Sequence, residues 1–444
     1  MIDQKSRYYP WLLLAVLWIT YLLSSLDRIV INLLVEPIKA DFGLSDTQIS
    51  LLQGPAFITA FSVAIIPMGI LVDRVNRTRL LGAALGLWSV MTGLCGLASS
   101  FWTLFAARAG VGLGEAALNP AGYSLISDAF KKDRLGLALG IFVMGGAVGA
   151  GLAFILGGVV IGALSRHGDI VVPLLGTLRP WQLTFVILAV PGLIMALILS
   201  TLPNPLRKTS ATAAGRPGES MIKGFYRQNW PLLARHHVAM GSANTVQLGM
   251  LAWIAPLLTR VHGWDSATIG MVVGSVMLVA LPIGLIGGGY IGDALMRFGA
   301  HMRLVVCAAS IVCAAMFGIF YPLQSDPWHL VIVFGVASLF AGIPPGVGNA
   351  ALHHVVPGEI RGRVSAIYYL IVLVLGMAGP TLVALASDNL FPFATGIRYA
   401  TIMVIPPMML FSALMYLWAI PPYRRLANEV ESEQKSSDLK VRAV

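Results

Sequence analysis

The chain has 444 residues, of which 57% are hydrophobic and only 11% are charged. About a quarter of the residues of a soluble domain are charged, so this composition excludes an ordinary soluble enzyme or binding domain. Apolar runs of twenty or more residues recur along the whole length, and each can cross a bilayer as a helix. We expect twelve spans, near residues 11–35, 47–72, 79–99, 101–128, 134–163, 181–202, 231–259, 266–293, 303–322, 328–354, 361–387 and 396–420. The sequence therefore predicts an all-α, multi-pass integral membrane protein.

The net charge of +10 is distributed unevenly between the two sides of this topology. The N-terminus, the loops after even-numbered spans and the C-terminus hold 23 of the 30 Lys and Arg residues, and the opposite loops hold five. This asymmetry places both termini in the cytoplasm, with the chain in a plasma membrane, or in the inner membrane of a bacterium. The basic excess attracts anionic membrane lipids, so membrane lipids are expected partners and nucleic acid is not.

Residue types that would indicate catalysis or metal binding are poorly placed. All three cysteines, Cys95, Cys307 and Cys313, fall inside expected spans, which argues against a disulfide framework or a metal cluster. The alternating glycines from Gly110 to Gly114 lack the preceding strand that a nucleotide-binding turn requires. We therefore expect no catalytic residue, no metal and no cofactor, and the sequence does not favour an enzyme.

Four charges lie inside the first and fourth expected spans: Asp27, Arg28, Arg108 and Glu115. Arg108 and Glu115 are seven residues apart and share a helix face. Charges in a membrane helix are costly and usually line a polar path. Two acids and two bases together are nearly neutral, so we expect one cluster. One hypothesis is that these charges line the path of a transporter. Glu115 and Asp27 would then bind protons, while Arg108 and Arg28 would be charge partners or anion contacts. The alternative is a purely structural ion-pair network.

Glycines are concentrated in the fourth and fifth spans. Gly110, Gly112 and Gly114 separate Arg108 from Glu115, and small residues allow a second helix or a substrate to approach the backbone. For the glycine-rich fifth span, close helix packing is the favoured interpretation and a hinge is the alternative.

A polar, basic segment from Pro203 to Asn229 divides the chain nearly in half. We predict an N-terminal six-helix bundle at 1–203, a cytoplasmic linker at 204–230, a C-terminal six-helix bundle at 231–422 and a cytoplasmic tail at 423–444. The tail is charged and poor in apolar residues, so we expect it to be largely disordered.

The two halves are related by an internal repeat. A shift of 220 residues places Gly69, Asp73 and Arg77 on Gly289, Asp293 and Arg297. An acid at such a helix end is favoured by a neighbouring helix N-terminus. The candidates for a conformational latch are Gly69, Asp73, Arg74, Arg77, Asp293 and Arg297.

Where the repeats differ, the deep acids become amides. Asp27 aligns with Gln247, and Glu115 aligns with Asn349 at a shift of 234. The second half is therefore expected to supply mainly neutral substrate contacts. The candidate substrate cavity is lined by Asn119, Asn244, Gln247, Trp253, Asn349, Tyr368 and Tyr369. His353 and His354 are either proton carriers or a solvated pair at a helix end, and the solvated pair is the favoured interpretation.

The segment with Gly69, Leu71, Asp73, Arg74, Arg77 and Arg79 resembles the loop signature of the major facilitator superfamily between its second and third helices. The resemblance implies two bundles around a central cavity that opens alternately to each side. It also implies that Asp73 faces the start of the eleventh helix and helps to latch the outward-open state.

Within that superfamily the chain is most similar to the spinster group. Three motifs carry the similarity: Leu26-Asp27-Arg28, Arg108 to Ala116 with its alternating glycines, and Asp73-Arg74-x-Asn76-Arg77. Spinster-like proteins are associated with sphingoid phosphates and lysophospholipids, so the resemblance implies an amphipathic anionic substrate.

The resulting functional expectation is a monomeric secondary transporter that works by alternating access, is coupled to protons and moves a small-molecule or lipid-like substrate. Organic-anion:cation symporters carry a similar Asp-Arg pair, so symport of small organic anions is one alternative. An uncoupled facilitator or lipid translocase is the other.

Overall fold

The computed structural model describes residues 8–173, 175–207 and 219–442. The helices are α1 (Tyr9–Leu33), α2 (Val35–Phe42), α3 (Asp46–Gln53), α4 (Pro55–Arg74), α5 (Arg77–Gly96), α6 (Phe101–Glu115), α7 (Leu118–Ala129), α8 (Lys132–Ser165), α9 (Pro180–Thr201), α10 (Glu219–His262), α11 (Ser266–Leu295), α12 (Met302–Phe320), α13 (Pro327–Ala341), α14 (Pro344–Val355), α15 (Arg361–Gly376), α16 (Ala378–Leu390) and α17 (Ile397–Arg442). A short antiparallel hairpin, β1 (Ile170–Val172) and β2 (Gly176–Leu178), precedes α9.

All twelve expected spans coincide with helices. Within the described ranges, ten segments are long and apolar enough to cross a membrane. The remaining two expected spans are also helical. One is formed by α6 and α7, which are interrupted for two residues directly after Glu115. The other is α10, which has a kink at Asn229, where φ is −112° and ψ is 17°.

The described residues form two compact units that do not follow the halves of the sequence. The first unit contains residues up to 207 together with Gly249–Val279 and Pro380–Thr401. The second contains residues 219–248, Ala280–Gly379 and 402–442. Segments from the second half of the chain therefore pack with the first half, and the expected bundle boundaries remain a prediction.

In the first unit, the alternating glycines bring α6 against its neighbours. A Cβ added at Gly112 would lie 2.2 Å from the backbone oxygen of Phe57 on α4. At Gly114 it would lie 2.8 Å from the Trp88 side chain on α5. These glycines thus serve the close approach of helices, one of the two uses that the sequence allowed.

Glycines on α8 and α11 make a second close contact in this unit. A Cβ added at Gly158 would lie 2.8 Å from Cα of Gly270, and one at Gly151 would lie 2.8 Å from the backbone oxygen of Gly274. The glycine-rich fifth span therefore packs backbone to backbone on the eighth, as the favoured interpretation predicted.

At one end of the first unit lies an ion network that we name the distal ion cluster: Glu36, Lys39, Asp46, Arg260, Ser387 and Asp388. Arg260 donates two hydrogen bonds of 2.7 Å to the two carboxylate oxygens of Asp46 and one of 2.8 Å from Nε to Glu36. A bidentate pair between an arginine and a carboxylate is stronger than a single hydrogen bond and fixes the relative orientation of the two groups. Lys39 also pairs with Asp46, which is buried.

Asp388 completes the distal ion cluster at the N-terminus of α3. Its carboxylate accepts hydrogen bonds from the backbone N–H groups of Asp46 (3.1 Å) and Thr47 (2.7 Å), where the helix dipole favours negative charge. Ser387 donates to Asp46 Oδ2 at 2.8 Å. Arg260 at the end of α10 and two residues of α16 thus hold α2 and α3.

The second unit has an apolar core shared by α10, α14 and α15. Its buried members are Leu233, Met240, Leu352, Val356, Ile360, Val364, Tyr368 and Val372. The last helix joins this unit through Tyr423, whose hydroxyl donates to the backbone oxygen of Ala351 at 3.1 Å.

The expectation of disorder after Tyr423 is wrong, because α17 continues to Arg442. Tyr423 and Ala427 are each 1% exposed. Composition alone suggested a solvated tail, but these two side chains dock the helix and stabilise its first turns beyond the expected span.

Replacing Gly112 by Ala tests the α6–α4 contact. The new methyl group meets a backbone oxygen, which cannot rotate away, so we expect overpacking to cost roughly 1–3 kcal/mol. The apparent melting temperature of the purified protein in nanodiscs should fall by several degrees. Gly140→Ala is the control, since nothing lies within 4 Å of its added Cβ. Equal melting temperatures for the two variants would contradict the contact.

Replacing Arg260 by Gln tests the distal ion cluster. Breaking a buried pair costs about 3–5 kcal/mol, and we expect a smaller loss because Lys39 still neutralises Asp46. Backbone hydrogen exchange across residues 35–53 should become faster. Arg166→Gln changes an exposed arginine in a neighbouring loop and should leave this exchange unaltered. Slow exchange in both variants would show that Arg260 does not hold α2 and α3.

Candidate functional site

The four charges that the sequence singled out lie together in the first unit. On α1, Ser24, Asp27 and Arg28 are spaced three and four residues apart and so project from one side of the helix. On α6, Arg108 and Glu115 are both buried. We name Ser24, Asp27, Arg28, Arg108 and Glu115 the charge cluster.

Glu115 is held by two residues of α1. Ser24 Oγ donates a hydrogen bond of 2.6 Å to Glu115 Oε2, and Arg28 Nε lies 3.5 Å from the same oxygen. Arg28 Nε also donates to the Ser24 backbone oxygen at 3.3 Å. The other carboxylate oxygen, Oε1, is buried and has no hydrogen-bond partner among the described residues. One oxygen of Glu115 is thus engaged and one remains available.

Arg108 bonds to backbone carbonyls rather than to a carboxylate. Its Nη1 donates to the Asp27 backbone oxygen at 2.8 Å, and its Nε donates to that of Leu52 at 3.3 Å. Nη2 is buried without a partner in the described part of the chain. The Asp27 carboxylate lies within electrostatic range of Arg108, Arg28 and Glu115. The predicted cluster therefore forms, with Arg28 rather than Arg108 as the ion-pair partner of Glu115.

Both arginines lie against the ring of Phe57. The Cζ atoms of Arg28 and Arg108 are 6.0 Å and 5.9 Å from the ring centroid, at the outer range of a cation–π contact. The aromatic ring contacts both cations without supplying a net negative charge. Phe57 was not singled out in the sequence, where it is one apolar residue in an apolar span.

Exposure differs sharply within the charge cluster. The Arg28 side chain is 37% exposed, whereas that of Glu115 is 2% exposed. The Arg28 side chain is therefore less confined by its neighbours than the Glu115 side chain. Chemically, the cluster offers a buried carboxylate that can take a proton and a guanidinium N–H that can bind an anion.

The first candidate latch segment connects α4 to α5. Arg77 is 1% exposed and donates to Ser124 Oγ at 2.9 Å and to Asn204 Oδ1 at 3.1 Å. It also forms an ion pair with Asp128. Asp73 and Arg74 are exposed, and a Cβ at Gly69 would meet nothing within 4 Å. Arg77 is thus a structural anchor within the first unit.

Arg207 also contacts this segment, and the sequence did not indicate that contact. Its guanidinium donates to the backbone oxygens of Val72 (2.7 Å), Val75 (3.3 Å) and Asp73. These are carbonyls at the C-terminal end of α4, which lack partners within the helix. In the sequence Arg207 is one of six bases between residues 207 and 235, and nothing marks it as different.

The second candidate latch segment lies at the end of α11. Asp293 pairs with Arg303 at 2.7 Å, and Arg297 stacks on Phe298 with its Cζ 4.8 Å from the ring centroid. Arg303 was not predicted, because it follows the turn and has no counterpart in the repeat motif.

Several candidate substrate residues are engaged in packing. Trp253 belongs to the first unit, where its Nε1 donates to the Pro380 backbone oxygen at 2.8 Å. In the second unit, Asn244 Nδ2 donates to the Val372 backbone oxygen at 3.1 Å, and Tyr368 is 1% exposed. These contacts assign a structural role to all three, and substrate contact by them remains a prediction.

The other candidate substrate residues are more open. Asn349 donates to the Tyr369 hydroxyl at 2.9 Å, and Tyr369 is 51% exposed. Asn119 and Gln247 are half-buried. The side-chain oxygens of Asn119 and Asn349 are buried and have no hydrogen-bond partner in the described ranges, so substrate contact by these residues also remains a prediction.

No group of three or more His, Cys, Asp or Glu residues within the described ranges is arranged to hold a metal ion.

Similarity to known proteins covers nearly the whole chain. An efflux pump of the major facilitator type from Mycolicibacterium smegmatis is 27% identical, over 95% of this chain and 96% of its own. Spinster homolog 1 of Mus musculus is 28% identical, over 87% of this chain and 74% of its own. The crystal structure of a bacterial homolog of the human lysosomal transporter Spinster, inward-facing and unoccupied, matches with a TM-score of 0.77 at 24% identity, covering 96% and 98% of the two chains.

These comparisons confirm the resemblance to the spinster group and the fold class of twelve transmembrane helices in two six-helix bundles. The sequence model of the Major Facilitator Superfamily matches residues 17–328 and 238–443. Proteins of this family are secondary transporters embedded in membranes and are not enzymes. The chain belongs to the major facilitator superfamily.

Proposed function

We propose that this transporter couples the movement of an amphipathic anionic or lipid-like molecule to protons, by alternating access. The observation that carries the proposal is the buried Glu115 carboxylate. One of its oxygens has no partner in the described part of the chain, and a partly exposed cation, Arg28, lies beside the other.

The coupling follows from the cost of burying charge. A buried carboxylate is stable as an anion only while a cation lies next to it. When Arg28 swings away from Glu115, the carboxylate becomes neutral by taking a proton. Proton binding and the position of Arg28 are then linked, and the difference in proton affinity between the two arrangements is the coupling free energy. Asp27, buried one turn from Ser24, is proposed as a second member of this proton site.

The same cluster supports an anionic substrate. Arg28 is partly exposed, and Nη2 of Arg108 has no partner among the described residues. An anionic head group can therefore replace Glu115 or join it at the guanidinium groups. A phosphate pairs well with such planar donors. The resemblance to the spinster group favours lysophospholipids and sphingoid phosphates, whose apolar chains suit a membrane protein.

Alternating access requires the two ends of the transporter to open and close in turn. We propose that the distal ion cluster holds one end closed and that both termini are cytoplasmic, which makes the distal end extracellular. The latch role of Gly69, Asp73, Arg74, Arg77, Asp293 and Arg297 is part of this proposal. Arg207 supports it, since its bonds to α4 tie the start of the linker to the first latch segment.

Small organic anions are the second candidate substrate class, because the same two arginines can bind a carboxylate without an acyl chain. A facilitator or lipid translocase without proton coupling is the third possibility, and it is distinguished by its response to pH.

A ligand panel tests the substrate class. Sphingosine 1-phosphate and lysophosphatidic acid should raise the melting temperature of the protein in nanodiscs, while monoacylglycerol, which lacks the phosphate, should not. A ligand at 100 times its Kd stabilises by about 2.7 kcal/mol. Arg108→Gln should abolish the shift, whereas Arg166→Gln, which changes an exposed arginine in the loop after α8, should retain it.

Two results decide against the amphipathic substrate in this panel. A shift produced by a sugar acid or a dicarboxylate, but by neither phospholipid, assigns the small-anion class. If monoacylglycerol raises the melting temperature as much as lysophosphatidic acid does, the proposed anion contact at Arg108 is wrong.

Replacing Glu115 by Gln tests proton coupling. The amide keeps the shape and the acceptor for Ser24 but does not titrate. In proteoliposomes, we measure pH-gradient-driven uptake of the ligand that gives the largest melting-temperature shift. This uptake should fall by roughly tenfold or more, because usual coupling free energies correspond to changes of about 5-fold to 150-fold. Exchange of ligand across the membrane without a gradient should persist.

Asp169→Asn is the matched control, since this carboxylate is exposed in the loop before β1. It should leave gradient-driven uptake unchanged. Full, normally pH-dependent uptake by Glu115→Gln would remove Glu115 from the proton site. Wild-type uptake that does not depend on the pH gradient would favour the uncoupled facilitator.

A further inference from the structure

The second unit contains a buried pair of adjacent histidines, His236 and His237, on α10. They are 1% and 2% exposed. Histidine is the side chain that most readily gains a proton near neutral pH. Neither residue belongs to the charge cluster, and the repeat comparison placed the ionisable groups in the first half only.

The hydrogen bonds define where His236 can take a proton. Its Nε2 lies 3.0 Å from the Gly348 backbone oxygen. A carbonyl only accepts, so Nε2 carries the hydrogen and Nδ1 carries the lone pair. That Nδ1 is buried without a partner among the described residues. His237 Nε2 shares a hydrogen bond of 3.3 Å with the Tyr226 hydroxyl, and its Nδ1 is likewise unpartnered there.

Among the residues that the structure describes, the groups that contact the histidine pair are polar but uncharged. They are Tyr226 from α10 itself, the Gly348 carbonyl from α14, Tyr368 from α15 and Tyr416 from α17, with Cys307 of α12 beyond Tyr416. In the described ranges neither ring forms an ion pair with an acid. A proton added to either ring would therefore create a buried cation without a counter-charge, which is costly.

Two routes connect the histidine pair to Asn349. His236 bonds to Gly348, the residue that precedes Asn349 on α14. Tyr368 packs on both imidazoles, with ring centroids 5.5 Å and 5.3 Å away. Its neighbour Tyr369 accepts the Asn349 hydrogen bond. A shift of the imidazoles displaces both supports of Asn349, the counterpart of Glu115 in the repeat.

We propose that His236 and His237 form a second proton-binding site, in the second unit, which controls the placement of Asn349 and Tyr369. The arrangement described here is the neutral form. Acid depopulates it, because a proton on the pair requires α14 and α15 to separate and admit water or a carboxylate. This site goes beyond the proposed function and is independent of Glu115.

Nitrogen-15 NMR of imidazole-labelled protein in nanodiscs tests proton binding. The chain has eight histidines, so His236→Gln and His237→Gln assign the two signals by loss. At neutral pH the His236 signal should be that of the Nε2–H tautomer. On acidification at least one of the two signals should convert to the imidazolium form while the protein remains folded.

Hydrogen exchange tests the coupling to Asn349. Corrected for intrinsic pH effects, exchange across residues 344–355 should increase severalfold on acidification in the wild type. In the variant carrying both His236→Gln and His237→Gln, this response should disappear. The variant carrying His353→Gln and His354→Gln should keep it, since these are the half-buried pair at the end of α14. Glutamine at 236 retains an N–H for the Gly348 oxygen, which favours correct folding.

Two results would overturn the second site. One is that both rings stay neutral at every pH at which the wild-type protein is folded, which requires no variant. The other is an acid response of residues 344–355 that survives in the His236→Gln, His237→Gln variant. Neither measurement involves transport or Glu115, so either failure leaves the proposed function untouched.

Discussion

The structure depends on one constraint, which is that a charge removed from water must find its partners inside the protein. Arg108 shows how far this constraint reaches. It takes one backbone oxygen from α1 and one from α3, and so fixes α6 against two other elements. The glycines that follow Arg108 allow the close packing that these bonds require. Sequence, helix packing and charge are therefore inseparable at this position.

The same constraint explains why charge appears in two different forms in the first unit. In the distal ion cluster every carboxylate oxygen of Asp46 has a cationic or hydroxyl partner, and the result is a clamp. In the charge cluster one oxygen of Glu115 and one guanidinium nitrogen of Arg108 lack partners among the residues that the structure describes. Incomplete pairing stabilises less, but it leaves groups that a proton or an anion can use. Complete pairing suits a gate, and incomplete pairing suits a binding site.

The sequence allowed the helices and the members of the charge cluster to be predicted, because apolar runs and buried charges are local signals. Partner choice was not predictable in the same way. Arg28 rather than Arg108 pairs with Glu115, since the outcome depends on how α1 rotates about its axis. Arg207 and Arg303 are surface bases in the sequence, and only the fold shows which carbonyls and carboxylates they reach. His236 and His237 were overlooked because a histidine pair in an apolar helix has no pattern that separates it from core.

The interruption after Glu115 is a tightened turn and not a break in the course of the helix. Ala116 and Ala117 both keep right-handed helical angles (φ −59°, ψ −20° and φ −79°, ψ −22°), and the Ala117 N–H bonds to the Gly114 oxygen three residues back at 3.4 Å. A short stretch of such i→i+3 bonding within a longer helix often marks a hinge. The fourth span is therefore least constrained by its own backbone directly beside the buried carboxylate, so bending at this turn would change the position of Glu115 relative to Arg28.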